Sequence, residues 1–123
     1  RHPSDDTLSG MGTELREIAA SIAAQHGVEI DLREIWYSPP VVFDKRCVEV
    51  VAASAIAAGF SHKRISSGAG HDACYIARVA PTAMIFVPCA DGISHNELEN
   101  AAPDDLGAGA EVLLRSIIEL AGI

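Results

Sequence analysis

The sequence predicts an α/β fold in which amphipathic helices alternate with short apolar segments. Apolar residues recur at spacings of three and four in three long stretches, and shorter apolar or alternating segments lie between them. Hydrophobic residues make up 49% of the 123 residues but aromatic residues only 5%, so Ala, Val and Ile fill most of the core. Side chains of this size suit closely packed layers of helices on a sheet.

The first helix is predicted over residues 7–26. Ser4, Asp5 and Asp6 are good N-cap residues before it, and Gly27 is a good C-cap after it. One face of this helix carries Leu8, Met11, Leu15, Ile18, Ala19 and Ile22. Residues 28–37 then alternate between apolar and charged side chains, which predicts an edge strand or a half-exposed strand.

A domain boundary is predicted at residues 38–40, which read Ser-Pro-Pro. Two consecutive prolines cannot join a ladder of strand hydrogen bonds, and they favour an extended linker. The boundary divides the chain into residues 1–38 and residues 39–123. Each part holds too few elements to bury its own apolar faces, so we expect both to be parts of larger domains.

The second part begins with a helix predicted over residues 44–58. Asp44 can cap its start, and Gly59 ends it. Residues 60–66 follow as a short strand or an extended segment.

Three further elements are predicted in the rest of the chain. Residues 71–79 form a short helix, and the continuous apolar run at residues 82–88 predicts a strand that is buried on both faces. A polar loop at residues 89–100 follows this strand. Residues 103–121 form the last helix, because Pro103 suits its first turn and the apolar face has helical spacing.

Composition argues against several classes of partner. The net charge of -8 would repel a phosphate backbone or an anionic membrane, so we expect neither nucleic-acid nor membrane binding. No apolar run approaches the roughly 20 residues that a membrane helix needs. The three cysteines have no regular spacing, which argues against a disulfide framework and favours a reducing cytoplasm.

The polar loop at residues 89–99 concentrates groups that can do chemistry. It brings an imidazole, two carboxylates two residues apart (Glu97 and Glu99), a hydroxyl and an amide together directly after a predicted buried strand, where α/β sites usually lie. Neutral imidazole is a common zinc ligand, and a nearby carboxylate can orient it. One histidine cannot complete a metal site, however. The residues therefore leave two alternatives for His95, a metal ligand or a solvated loop histidine, and spacing alone favours the second.

A second cluster reads Ser-Gly-Ala-Gly-His-Asp at residues 67–72. Its two glycines allow unusual backbone angles or close approach of a ligand. His71 and Asp72 fall at a predicted helix N-terminus, which suits a carboxylate or a developing oxyanion. The alternative is a tight turn with Asp72 in the capping region, and spacing alone favours this alternative.

Taken together, three segments resemble a known enzyme family. They are Ser-Gly-Ala-Gly-His-Asp-Ala at residues 67–73, Pro-Thr-Ala-Met-Ile-Phe-Val-Pro-Cys at residues 81–89, and Gly-Ile-Ser-His-Asn-Glu at residues 92–97. In combination they are similar to the N-carbamoyl-L-amino-acid hydrolase and allantoate amidohydrolase family, within the di-metal aminoacylase and carboxypeptidase-like superfamily. The opening Arg-His-Pro at residues 1–3 also resembles this family, and the resemblance runs in order along essentially the whole chain.

The resemblance implies a two-domain organisation. Residues 1–38 would be the end of an αβ lid domain that also forms the dimer. Residues 39–123 would be the C-terminal part of a zinc-peptidase-like αβα catalytic domain. The protein would then be a homodimer through its lid domain, and we expect it in the cytoplasm.

The resemblance also implies roles for individual residues. His95 matches the last ligand of a pair of divalent ions (Zn, Mn or Co), and it would be the one metal ligand in this chain. His71 matches a catalytic histidine that binds substrate and stabilises the tetrahedral intermediate, and Gly70 matches a backbone contact to substrate. Arg1 matches the lid arginine that holds the substrate carboxylate.

Two carboxylates and the overall reaction complete the implied picture. Asp72 and Glu97 would support the site from behind the ligands and substrate contacts. The implied activity is metal-dependent hydrolysis of the ureido C–N bond of N-carbamoyl-L-amino acids to the amino acid, CO2 and ammonia. The general base and the other ligands would lie upstream, so we expect this chain alone to be inactive. The alternatives are an allantoate amidohydrolase and a non-catalytic lid or dimerisation module.

Overall fold

The computed structural model describes all 123 residues, from Arg1 to Ile123. It contains four α-helices and one short 3-10 turn, at Ala90–Gly92. The helices are α1 (Asp5–His26), α2 (Lys45–Ala57), α3 (Asp72–Ile76) and α4 (Pro103–Ala121). No residue belongs to a hydrogen-bonded strand, so the chain by itself is helical.

The chain divides into two compact units. Unit 1 contains Arg1–Val42 and Ser66–Ala69, and unit 2 contains Phe43–Ile65 and Gly70–Ile123. The chain therefore passes from one unit to the other within the glycine-rich loop. The assignment of residues 1–38 to a lid domain and of residues 39–123 to a catalytic domain stays a prediction.

Helix α1 in unit 1 has the predicted caps at both ends. It begins at Asp5 rather than at residue 7, because Ser4 is the N-cap and its Oγ accepts a hydrogen bond from the Thr7 N–H at 3.4 Å. At the other end Gly27 has φ +63, the left-handed conformation in which glycine commonly ends a helix.

The predicted strand at residues 28–37 is wrong. These residues do not form a helix, but no neighbouring segment pairs with them. A strand is stable only when another backbone supplies the partners for its N–H and C=O groups. Here the apolar side chains of Ile30 and Leu32 line a shallow cavity against α1 instead. Arg16 of α1 forms an ion pair with Glu34 at 2.9 Å, on the same side of the unit.

Unit 2 is organised by the packing of α2 against α4. Its buried hydrophobic residues are Cys47 and Ala55 of α2 and Val112 of α4. Two serines, Ser54 and Ser116, are buried with them. The Ser116 hydroxyl donates to the Val112 carbonyl at 2.7 Å, so burial leaves this polar group satisfied.

Asp44 joins α2 to the apolar segment that precedes the polar loop. Its carboxylate caps α2 by accepting a hydrogen bond from the Cys47 N–H at 2.9 Å. This bond holds the pKa of the Asp44 carboxyl below its usual range. The N–H of Asp44 donates to the Thr82 carbonyl at 3.0 Å, which ties the start of residues 82–88 to the start of the helix.

Residues 82–88 were expected to form a strand buried on both faces, and that expectation is wrong for this chain. No strand ladder forms here, and one side of the segment stays open, with Phe86 48% exposed. The segment lies close to α4 at Gly109, where an added Cβ would be 2.6 Å from the Val87 Cγ1. Helix α4 covers one face of the segment, and nothing in unit 2 supplies the neighbouring strands that a buried strand requires.

The remaining predicted elements are partly present. Residues 60–66 form no helix or ladder, and Arg64 holds them to α2 through two hydrogen bonds to Glu49, at 3.0 and 2.6 Å. Helix α3 is shorter than the predicted helix at residues 71–79, because it gives way to turns after Ile76. Helix α4 matches its predicted bounds, with Pro103 in its first turn.

Apolar faces of both units are only partly covered. Cys47, Ala55 and Val112 are the buried hydrophobic residues of the whole chain. Many large apolar side chains on α1 and α4 stay about half exposed, including Leu15, Ile18, Leu113, Leu114 and Ile117. None of the helices has both the length and the apolar character that a membrane crossing would need.

Candidate functional site

The polar loop is a closed structure tied at its neck. The N–H of Ala90 donates to the Asn100 carbonyl at 2.7 Å, which brings the two ends of the loop together. Directly after the neck, Asp91 and Gly92 have φ values of +53 and +69 within the 3-10 turn. Short loops with joined ends are ordered mainly by their own contacts.

His95 lies at the centre of this loop in an unusual conformation. Its φ is +58, in the left-handed region that few residues other than glycine adopt. Its backbone N–H donates to the Glu99 carboxylate Oε2 at 2.7 Å. Its ring Nδ1 is hydrogen-bonded to the Ser94 Oγ at 2.9 Å. The side chain is exposed, and both its backbone and its ring are held by residues of the same loop.

A turn brings Glu99 back to His95. Asn96 accepts two hydrogen bonds, from the Glu99 N–H to its carbonyl and from the Leu98 N–H to its Oδ1, each at 2.9 Å. Glu97 is exposed and makes no hydrogen bond or ion pair. The supporting role that the family resemblance implies for Glu97 stays a prediction, whereas the carboxylate in contact with His95 is that of Glu99.

From the sequence Glu99 was one of two carboxylates two residues apart in this loop, and it was given no role of its own. Its signal is the spacing of four residues from His95 across a segment that contains Asn96, a residue that favours turns. In a helix this spacing would place two side chains on one face. In this loop it allows the Glu99 carboxylate to accept a hydrogen bond from the His95 backbone N–H.

His71 precedes α3 in unit 2 and makes an aromatic contact. Its ring lies edge-on to Phe86, with centroids 5.5 Å apart and an interplanar angle of 63°. Asp72 follows in the first turn of α3, as predicted, where its negative charge is favourable. The structure therefore places the second predicted histidine beside the segment that leads into the polar loop.

Arg1 is placed in unit 1 on the glycine-rich loop. Its guanidinium Nη1 donates to the Gly68 carbonyl, and a Cβ on Gly68 would lie 3.8 Å from the Arg1 Cδ. In the same loop the Ala69 N–H donates to the Ser67 Oγ at 3.1 Å. Within unit 1, Arg1 is therefore a neighbour of Gly68.

The chain supplies donors for only part of a metal site. It contains no cluster of three or more His, Cys, Asp or Glu side chains that could hold an ion. His95 fits as a single imidazole donor, because its Nδ1 is engaged by Ser94 and its Nε2 makes no hydrogen bond. A protein metal site normally has three or more protein ligands, so these 123 residues do not complete one by themselves.

Comparison with known proteins decides the family. The family model for peptidase family M20/M25/M40, a description of the family's sequences, matches residues 4–119, which is nearly the whole chain. The chain belongs to this family. This confirms the family resemblance that the three sequence segments indicated.

Relatives in the M20/M25/M40 family carry amidohydrolase names. An N-carbamoyl-L-amino-acid amidohydrolase of Rhizobium meliloti is 42% identical over 123 residues, which is all of this chain and 30% of the relative. An allantoate amidohydrolase of Bacillus subtilis (strain 168) is 31% identical over 121 residues, covering 98% of this chain and 29% of the relative.

A solved structure supports the same assignment. An amidase of the hydantoinase/carbamoylase family from Burkholderia multivorans superimposes with a TM-score of 0.94 at 53% identity, over 97% of this chain and 29% of that one. The chain therefore spans about 30% of the length of the M20 relatives it matches.

Proposed function

We propose that this chain works within a longer metal-dependent amidohydrolase that cleaves the ureido C–N bond of N-carbamoyl-L-amino acids. The observation that carries the proposal is the His95 loop, which presents one imidazole nitrogen on a fixed backbone in a chain 42% identical to an N-carbamoyl-L-amino-acid amidohydrolase. The partial cover of its apolar faces is consistent with work inside a larger domain.

His95 is assigned as a ligand to one of two divalent ions, Zn, Mn or Co. Such ions, when bound, polarise the ureido carbonyl and lower the pKa of the attacking water. The contribution of this chain is to hold the imidazole through Nδ1 and to leave Nε2 without a hydrogen bond. Ser94 accepts the Nδ1 proton in the tautomer that leaves Nε2 free to bind an ion.

Arg1, His71 and Gly70 are assigned to the substrate. The planar guanidinium of Arg1 can form two parallel hydrogen bonds to the substrate carboxylate, and the Gly68 carbonyl helps to orient it. His71, whose ring packs edge-on to Phe86, can donate a hydrogen bond from a ring N–H to the oxyanion of the tetrahedral intermediate. Gly70 contributes a backbone contact, and Asp72 and Glu97 have supporting roles.

The proposed reaction balances as a hydrolysis. Water adds to the ureido carbonyl carbon, and the bond from that carbon to the amino-acid nitrogen breaks. The nitrogen of the leaving group takes a proton and becomes the amino group of the free amino acid. The carbamate that remains decomposes to CO2 and ammonia.

The test compares histidine variants in the full-length protein that contains this chain. We expect His95→Ala to lower the metal content and to reduce kcat by more than about 100-fold. Removing a residue that only hydrogen-bonds to a metal ligand already lowers metal affinity or activity by roughly 10- to 100-fold. We expect His71→Ala to keep the metal and to lower kcat by about 100- to 1,000-fold, the usual effect of removing one oxyanion donor. Metal analysis and steady-state kinetics measure both.

The matched control is His62→Ala, since His62 is exposed and makes no hydrogen bond. Full activity of His95→Ala, or an effect no larger than that of His62→Ala, would remove His95 from the metal site. Equal loss of metal in His95→Ala and His71→Ala would make His71 a ligand as well.

A second candidate is allantoate amidohydrolase, favoured by the 31% identity to the Bacillus subtilis relative. Both substrates carry a ureido group and a carboxylate, so Arg1 and His71 serve either. The ratio of kcat/KM for allantoate and for N-carbamoyl-L-amino acids decides between them. Activity on neither would favour the non-catalytic lid or dimerisation module. A homodimer through the lid domain and a cytoplasmic location belong to the proposal and are tested by sedimentation and by fractionation.

A further inference from the structure

The backbone of His95 has a conformation that a side chain with a Cβ disfavours. Its φ is +58, although histidine adopts this region more often than most residues. His95 is exposed, so no surrounding core fixes this angle. Hydrogen bonds within the loop are the contacts that hold it.

The Glu99 carboxylate is the group that restrains this backbone. Its Oε2 accepts from the His95 N–H at 2.7 Å, a distance typical of a charge-assisted hydrogen bond. Glu99 is itself placed by the bond from its N–H to the Asn96 carbonyl. It also directly precedes Asn100, whose carbonyl closes the neck of the loop with Ala90. The carboxylate is thus anchored at the neck and reaches to the centre of the loop.

The ring of His95 is restrained separately by Ser94. The Ser94 Oγ lies 2.9 Å from Nδ1, and no other group is hydrogen-bonded to the ring. The two restraints act on different atoms, since Glu99 holds the backbone nitrogen and Ser94 holds the ring. Together they leave Nε2 as the one nitrogen of His95 without a hydrogen bond.

We propose that Glu99 is a positioning residue for His95 that acts through the His95 backbone, and that Ser94 positions the ring through Nδ1. The proposal rests on the proposed function, in which His95 is a metal ligand. In it Glu99 acts through the hydrogen bond that its Oε2 accepts from the His95 N–H. The supporting role proposed for Glu97 includes no bond to the His95 backbone, so Glu97→Ala leaves this restraint in place.

The test uses the full-length protein with Glu99→Ala, Glu99→Gln and the matched control Glu97→Ala. Hydrogen–deuterium exchange of peptides that span residues 89–100, in metal-free protein, reports on the loop without any activity. We expect Glu99→Ala to speed exchange in this loop by about ten-fold or more, with α4 unchanged, because local opening is normally limited by such bonds. Glu99→Gln keeps an acceptor oxygen and should stay near the wild type, and Glu97→Ala should match the wild type.

Metal affinity is the second readout. We expect Glu99→Ala to weaken metal binding by about ten-fold, the lower end of the effect seen when a residue that hydrogen-bonds to a metal ligand is removed. Ser94→Ala should weaken binding while leaving loop exchange unchanged, since it acts on the ring alone. A competition titration with a chromogenic chelator measures both.

The outcomes separate this proposal from the proposed function. Equal exchange in Glu99→Ala and Glu97→Ala would overturn the positioning role of Glu99, whatever the metal affinity. Exchange as fast in Glu99→Gln as in Glu99→Ala would overturn the hydrogen-bond account. Faster exchange in Glu99→Ala with unchanged metal affinity would support the restraint on the loop but overturn its role in metal binding. The proposed function fails separately, if His95→Ala leaves the metal content unchanged.

Discussion

The polar loop at residues 89–100 and the apolar segment at residues 82–88 adjoin in the chain but are held in opposite ways. The loop is tied by hydrogen bonds between residues at most ten positions apart, from Ala90 to Asn100. The apolar segment is held from a distance, by α4 at Gly109 and by one hydrogen bond from Asp44. The loop carries its shape in its own residues, whereas the segment depends on whatever packs against it.

This difference matters for the candidate site. The geometry of His95 can be tested by changes inside the loop alone, as with Glu99. The segment that leads into the loop, and that carries Phe86 beside His71, responds instead to changes on the helices. Substitutions in the full-length protein can test whether residues 82–88 depend on packing while residues 89–100 depend on their own hydrogen bonds.

The largest effect is expected at Gly109. A Cβ there would lie 2.6 Å from the branched Val87 side chain, so Gly109→Ala must push the segment away from α4. Overpacking of this kind typically costs about 1–3 kcal/mol in the free energy of unfolding. Chemical denaturation measures it, and we expect exchange in residues 89–100 to change much less than exchange in residues 82–88.

Gly107 supplies the matched control on the same helix. Nothing lies within 4 Å of an added Cβ there, so Gly107→Ala should be neutral or stabilising by roughly 0.5–1 kcal/mol, the usual gain of Ala over Gly inside a helix. Adding Val87→Ala to Gly109→Ala should recover part of the loss. Equal effects of the two glycine substitutions would show that the segment does not pack on α4.

A smaller effect, which depends on pH, is expected at Asp44. The hydrogen bond to the Cys47 N–H lowers the pKa of the Asp44 carboxyl. A carboxyl whose pKa is lowered in the folded state adds stability above its ordinary pKa, and that stability is lost as pH falls through the lowered value. We expect Asp44→Ala to be less stable than the wild type at neutral pH, with the difference shrinking as pH falls below about 4.

Asp44→Ser is the control for this prediction, because serine can cap a helix without a titrating group. It should retain much of the stability and lose the pH dependence contributed by Asp44. Thermal midpoints measured from neutral to acid pH would show it. A constant difference between Asp44→Ala and the wild type at every pH would contradict the assignment of the cap to the ionised carboxylate.

The smallest effect is expected at the exposed pair of Arg64 with Glu49. The pair lowers the pKa of Glu49 and raises that of Arg64, yet both side chains are about half exposed and screened by solvent. We expect Arg64→Ala to lower the thermal midpoint slightly at low salt and not at high salt. Lys63→Ala, which removes a neighbouring charge without this contact, should leave the thermal midpoint unchanged at both low and high salt. A loss that persists at high salt would mean that packing, not charge, holds residues 60–66.

Much of the helical structure could be predicted, because the signals that bound a helix lie within a few residues of its ends. Ser4, Gly27, Asp44 and Pro103 are all at or next to the predicted positions. The predicted strands failed for the opposite reason. An apolar or alternating pattern shows which side chains favour burial, but a strand forms only when another backbone segment lies beside it.

The candidate site divides in the same way. The three segments of sequence indicated the family, and the comparisons confirm it. They also drew attention to His71 and His95, whose assigned roles stay proposals. They did not indicate Glu99, because a spacing of four residues has no fixed meaning until the backbone between them is known.

Residue type and short-range order were enough to predict the long helices with their caps, the resemblance to an amidohydrolase family and the residues on which chemistry is expected. Three contacts became known from the folded backbone. Arg1 lies beside the Gly68 carbonyl, Val87 lies close to Gly109, and the Glu99 carboxylate accepts a hydrogen bond from the His95 N–H, whose residue has a positive φ. These contacts join atoms whose distance depends on the path of the backbone between them. Residue spacing alone does not specify that path.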